Sequence, residues 1–159
     1  MTVLSNGDLF PNLSVPAVGG GTLIDLPEVL TGSYGVVLIY RGSWCPYCNA
    51  QLASFSRATD ELTARDAQVV ALSVDGEATS ADLAEKHRIA FPLGHSADAD
   101  KVAEATGAFT NDDPTYLQST GFVLGPDGRI LTAVYSSGAI GRLAPDDVIG
   151  FIDHAKSQA

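Results

Sequence analysis

Apolar positions along the chain fall into continuous runs and helical stripes. Residues 35–40 and 68–74 are nearly unbroken apolar runs rich in β-branched side chains, which predicts two strands buried on both faces. Between them Leu52, Phe55, Ala58 and Leu62 recur at helical spacing and predict one helix over about 45–64, with that stripe in the core. Thr79 or Ser80 is placed to cap a helix ending near residue 88, with Leu83 and His87 one turn apart. Residues 91–93 read as a short extended segment, and residues 98–106 as a helix stopped by Gly107. Two further apolar runs, 120–124 and 130–135, flank Gly125-Pro126-Asp127-Gly128-Arg129, a hairpin signature. Pro145 then opens a terminal helix, capped near Asp146 or Ala144, that buries Val148, Ile149 and Ile152.

The first thirty residues have a different texture. Breakers at Gly7, Pro11, Pro16 and Gly19-Gly20-Gly21 separate Leu13-Ser14-Val15 from Thr22-Leu23-Ile24, which predicts an N-terminal β-hairpin extension. Asp25 is expected to cap a short turn that starts at Pro27 and ends at Gly32. No repeat or linker divides the 159 residues, so one domain over 1–159 is expected. The order strand, helix, strand, helix, hairpin, helix predicts an α/β architecture: a central mixed sheet flanked by helices on both faces.

Composition narrows the function classes. A hydrophobic content of 45% suffices for a core without disulfide staples. The formal charge of −10 argues against nucleic acid or an anionic membrane as a partner reached through a basic surface. The longest apolar run is too short to span a bilayer. No positive charge followed by an apolar core appears near Met1, so no signal peptide is read and a cytoplasmic location is the default expectation. A structural disulfide does not persist in that compartment.

Against that background the two cysteines stand out. Cys45 and Cys48 lie in Trp44-Cys45-Pro46-Tyr47-Cys48, where the first buried strand gives way to the first helix. At a helix start Cys45 would face unpaired backbone N–H groups and the positive end of the helix dipole, which favour thiolate over thiol. Lowering a thiol pKa from about 8.5 to about 7 takes roughly 2 kcal/mol, much of which a helix terminus can supply. Cys48, one turn on, is close enough to attack a mixed disulfide or sulfenic acid on Cys45, or to play the reverse role. Half of a zinc site is the main alternative, but it needs two more ligands, and His87, His95 and His154 are scattered. Two inert buried thiols are the remaining reading.

With these elements in order, the chain resembles the peroxiredoxin-like (alkyl hydroperoxide reductase/thiol-specific antioxidant) branch of the thioredoxin fold. The resemblance runs from about Asp8 to the last helix. It rests on the strand-dithiol-helix unit, the hairpin from Gly121 to Ile130, and Tyr40-Arg41-Gly42-Ser43-Trp44-Cys45-Pro46-Tyr47-Cys48, which looks like the motif of one subgroup. Aligned as a thioredoxin or glutaredoxin, Cys45 is the nucleophile and Cys48 resolves. Aligned as a peroxiredoxin, Cys48 takes the peroxidatic position and Cys45 replaces the threonine three residues earlier. Arg41 then stands where that family has a proline, and Ser119 where it has an arginine or, in a thioredoxin, a cis-proline.

The resemblance implies a thiol-dependent oxidoreductase that reduces hydroperoxides while its dithiol cycles to an intramolecular disulfide. Thioredoxin, glutaredoxin or a low-molecular-weight thiol would be the reductant, with no cofactor or metal and with room for a homodimer. A protein disulfide reductase, or a non-enzymatic redox-sensing or zinc-binding module, remains as the alternative. Beside the cysteines, Arg41 could reach the thiolate and a bound peroxide, and Trp44 could cover the dithiol and shape a docking surface; a surface ion pair and a partly buried aromatic are their plainer readings. His95, after Gly94, could approach the site from a loop. His87 and His154 read as surface or packed residues, and Asp98, Asp100, Asp112 and Asp113 as solvated loop charge with a possible cap.

Overall fold

The computed structural model describes residues 2–159. Strands β1 (Leu13–Pro16) and β2 (Leu23–Leu26) pair antiparallel as the expected hairpin, followed by a 3-10 turn over Glu28–Leu30. Next come β3 (Tyr34–Ile39), α1 (Pro46–Arg57), α2 (Thr59–Thr63), β4 (Ala67–Leu72), α3 (Glu77–Lys86), β5 (Leu93–Gly94) and α4 (Ala99–Thr106). A two-residue pair, β6 (Thr110–Asn111) and β7 (Tyr116–Leu117), leads into β8 (Thr120–Leu124), β9 (Ile130–Tyr135) and α5 (Pro145–Ser157).

The central sheet has the order β5-β4-β3-β8-β9. β3 and β4 run parallel, as do β4 and β5, whereas β8 lies antiparallel to both β3 and β9, so the sheet is mixed. Because side chains alternate across a strand, the continuous apolar runs feed two cores. Val37, Ile39, Val70, Leu72, Phe122 and Leu124 meet α4 and the N-terminal hairpin on one face. Val36, Leu38, Tyr40, Val69, Ala71 and Val123 meet α1, α3 and α5 on the other, and that second core also holds Cys45 and Cys48. Phe122 is the largest link in the first core, edge to face with Phe10 at 5.2 Å and with Tyr135 at 5.7 Å between centroids.

Three local expectations need correction. The helix expected as one piece over 45–64 is interrupted at Ala58 (φ −91°, ψ 5°), whose N–H is shared between the Ser54 and Phe55 carbonyls and next to which the Thr59 hydroxyl donates to the Ser56 carbonyl at 2.7 Å. The helix expected to be capped by Thr79 or Ser80 begins at Glu77 after Gly76, and Ser80 lies fully buried inside it. Asp25 caps nothing: it lies within β2 and accepts the Ser14 hydroxyl across the hairpin. Other ends fall as read. Asp98 caps α4 by accepting the Lys101 N–H, and Gly107 closes it at φ +83°. Ala144 precedes Pro145 at the start of α5, which buries Val148, Ile149 and Ile152. No helix among the described residues is long and apolar enough to cross a membrane.

Candidate active site

β3, the central strand, ends at Ile39, and residues 40–45 carry the chain from its end into α1. Cys45 is the N-cap of α1, with extended backbone at φ −92° and ψ 111°, and Pro46 follows as the first helical residue. The Cys45 sulfur accepts the Cys48 N–H at 3.3 Å, the role usually filled by a serine or aspartate oxygen. The turn before it is fastened on two sides. Asp75, just beyond β4, accepts the Ser43 N–H at 2.8 Å, and the Asn49 amide donates to the Ser43 carbonyl at 2.9 Å.

Each sulfur has its own arginine. Arg41 Nη1 donates to Cys45 Sγ at 3.7 Å, and Arg142 Nη1 donates to Cys48 Sγ at 3.4 Å, where the Arg41 main-chain N–H also arrives at 3.4 Å. Both thiols are free and both residues are fully buried. Burial by itself would push the Cys45 thiol up. Hydrogen bonds from the Cys48 thiol, the Cys48 N–H and Arg41, with the charge of Arg142, outweigh it and hold Cys45 below the ordinary thiol range. Burial, reinforced by donation to Cys45, pushes the Cys48 thiol up despite the Arg41 N–H and Arg142. The two thiols are therefore shifted in opposite directions, Cys45 down and Cys48 up.

The arginines are themselves held. Arg41 Nε donates to Gln118 Oε1 at 3.0 Å and Nη2 to the Tyr116 hydroxyl at 3.2 Å, while its guanidinium carbon lies 4.8 Å from the centroid of the Trp44 ring. Arg142 Nη1 also donates to Gln51 Oε1 at 3.1 Å, and Nη2 to the Ala139 carbonyl at 2.6 Å. Gln51 in turn donates to the Leu143 carbonyl at 2.9 Å, which ties the loop after β9 to α1. Trp44 and Tyr47 are 52% and 53% exposed beside the buried pair.

The model of the AhpC/TSA family matches residues 6–133. The chain belongs to the AhpC/TSA family. It is 28% identical over 148 residues to a peroxiredoxin of Methanothermobacter thermautotrophicus, covering 89% of this chain and 69% of that one. It is 25% identical over 174 residues to alkyl hydroperoxide reductase C of Mycobacterium tuberculosis, covering 99% and 87%. Among solved structures, Mycobacterium bovis AhpC superposes with a TM-score of 0.83 at 25% identity, over 100% of this chain and 96% of that one. The fold is therefore the thioredoxin-like α/β fold, with its mixed sheet, flanking helices and N-terminal hairpin.

Arg41 turns its side chain onto Cys45. Ser119 is buried and accepts the Ser136 N–H through its carbonyl, while its neighbour Gln118 meets Arg41. Arg41, Trp44, Cys45 and Cys48 are thus brought together. His95 is not joined to them: it is buried, with Nδ1 2.8 Å from the Ser96 hydroxyl and Nε2 3.7 Å from Glu77. His87 ends α3 and His154 is exposed on α5. Among the described residues no three His, Cys, Asp or Glu side chains group as metal ligands.

Arg142, Tyr116, Gln118 and Asp75 were not legible as site residues. Arg142 lies 94 residues from Cys48 in a glycine-containing loop with no local pattern. The one available signal was its rarity, a lone cation in that loop in a chain with 9 Lys and Arg against 19 Asp and Glu.

Proposed function

We propose that this chain is a thiol peroxidase, one domain over residues 1–159, in which Cys45 attacks a hydroperoxide and Cys48 resolves the product. The observation that carries the reading is the setting of Cys45, a fully buried sulfur that accepts hydrogen bonds from the Cys48 N–H and from Arg41. Donors aimed at the sulfur favour its thiolate, which suits attack on a hydroperoxide such as hydrogen peroxide or a small alkyl hydroperoxide.

In the first step the Cys45 thiolate attacks the distal peroxide oxygen. The O–O bond breaks, the sulfur is oxidised to sulfenic acid, and the departing alkoxide takes a proton to leave as alcohol or water. Arg41, already at the sulfur, is placed to stabilise charge on the parting oxygens. In the second step the Cys48 sulfur, deprotonated with the help of Arg142, attacks the sulfenic sulfur; hydroxide leaves, is protonated, and the Cys45–Cys48 disulfide remains. Two electrons from thioredoxin, glutaredoxin or a low-molecular-weight thiol then restore the dithiol. No cofactor is required by this sequence of steps. Membership of a subgroup marked by Arg41-Gly42-Ser43-Trp44-Cys45-Pro46-Tyr47-Cys48 is part of the same proposal.

The half-exposed Trp44 and Tyr47 favour a second reading, disulfide exchange with a partner protein. Rapid mixing of the reduced protein with hydrogen peroxide separates the two, following the fluorescence of Trp44, the only tryptophan. Fast oxidation that is lost in Cys45→Ser and retained in Cys48→Ser is the expected result. The reverse pattern would make Cys48 the attacking thiol, and oxidation no faster than that of an ordinary free thiol would leave disulfide exchange as the function.

A further inference from the structure

Arg41 is held between a sulfur and two aromatic rings. Its Nη1 reaches Cys45, its Nη2 the Tyr116 hydroxyl, and its guanidinium carbon stands 4.8 Å from the Trp44 centroid and 5.3 Å from that of Tyr116. The two rings meet each other edge to face at 4.8 Å. A long, partly exposed arginine left to itself spreads over many rotamers, and the charge a thiolate feels is then averaged and screened. Ring faces on the guanidinium narrow that spread.

The seat of the indole depends on what residue 42 lacks. A Cβ built on Gly42 would collide with Trp44 Nε1 and lie 2.8 Å from Cδ1 and 3.0 Å from Cε2. Gly42 does not use a left-handed backbone conformation, unlike Gly107 or Gly128, so its conformational freedom is not what the site uses. What it provides is open space directly beneath the tryptophan ring.

We propose that Gly42, Trp44 and Tyr116 act as positioning residues that clamp the Arg41 guanidinium against the Cys45 sulfur, with the indole seated on Gly42. This inference rests on the reading of Cys45 as the reactive thiol. The clamp acts through Arg41. Its consequence is that the glycine in Arg-Gly-Ser-Trp-Cys, whose carbonyl accepts the Cys45 N–H at 3.1 Å, sets the acidity of that thiol through the seat it leaves for the indole.

The test is thiolate absorbance at 240 nm against pH, in a Cys48→Ser background so that one thiol titrates. Trp44→Leu and Gly42→Ala should each move the titration to higher pH and cut the thiolate fraction near neutrality several-fold. Trp44→Phe, which keeps a ring face, should recover most of the loss, and Tyr116→Phe should shift less than Trp44→Leu. In an Arg41→Met background, neither Trp44→Leu nor Gly42→Ala should add anything. In a Trp44→Leu background, Gly42→Ala should add nothing, because the side chain it collides with is gone. A parental titration in Trp44→Leu and Gly42→Ala, or equal shifts with and without Arg41, would overturn the proposal. An ordinary thiol titration in Cys48→Ser itself would instead remove the reading of Cys45 on which the proposal rests. Because the titration reads the thiol and not the oxidant, a negative peroxide assay leaves its result intact.

Discussion

The Cys48 main-chain N–H points at the Cys45 sulfur from 3.3 Å, so the second cysteine of the motif supplies the helix cap for which the first is the acceptor. The two thiols are made unequal by that relationship. Cys45 gains the donors of a helix N-terminus and the Arg41 guanidinium, whereas Cys48 sits one turn inside the helix, where burial dominates.

Reactivity should therefore persist to lower pH than an ordinary thiol allows. A thiol whose folded pKa is depressed keeps its thiolate as pH falls through the ordinary thiol range, and loses it only when pH falls through the lower, folded value. The initial rate of oxidation by peroxide, measured against pH, should decline at a lower pH than that of an ordinary free thiol. In Arg41→Met the declining limb should move to higher pH, with the neutral-pH rate lower by about tenfold, the order expected for one partly exposed charge-assisted hydrogen bond. An unmoved limb would mean that the helix terminus alone sets the acidity of Cys45.

Arg142 is aimed at the later step. It touches Cys48 at 3.4 Å and reaches Cys45 only through its charge. Arg142→Met should slow disulfide closure by roughly tenfold and slow the first oxidation less, so that dimedone traps more sulfenic acid than in the parent. Equal slowing of both phases would show that its charge serves Cys45 as much as Cys48. Gly121 gives a second handle on the same loop. A Cβ there would lie 2.7 Å from Leu143 Cδ1, so Gly121→Ala should displace the segment that carries Arg142 and reproduce part of the closure defect.

The core on the opposite face should be sensitive to loss of Phe122, which is fully buried between Phe10 and Tyr135. Phe122→Ala should cost about 3–5 kcal/mol and lower the thermal midpoint by roughly 10 °C. A loss under about 1 kcal/mol by urea unfolding would indicate that the neighbouring rings close the cavity.

Much of the frame was legible because its causes are local. Buried strands in a mixed sheet are apolar without alternation, and the runs at 35–40 and 68–74 show this; β3 and β4 follow within a residue or two. Pro46 after Cys45 marks a helix start, and Gly107 marks a helix end, whatever surrounds them. The misreadings were local as well. The helix that the apolar stripe ran straight through is interrupted at Ala58, since the stripe reports the buried face and not the backbone angles of a single residue. Ser80 looked like a cap because its side chain suits one, but the core closed over it.

For the candidate site, the sequence by itself determined the cysteine pair, its place at a strand-to-helix junction, and the presence of Arg41, Gly42 and Trp44 within four residues of Cys45. Only the tertiary structure decided which cation meets which sulfur. Tyr116 and Gln118 come from 75 and 77 residues beyond Arg41, and Arg142 from 94 beyond Cys48, and they converge because β8 lies beside β3 and the loop after β9 is tied down on α1. Spacing along a chain fixes only contacts within a turn or a hairpin. Charges that meet across a sheet are set by strand order and register, to which no single stretch of sequence refers.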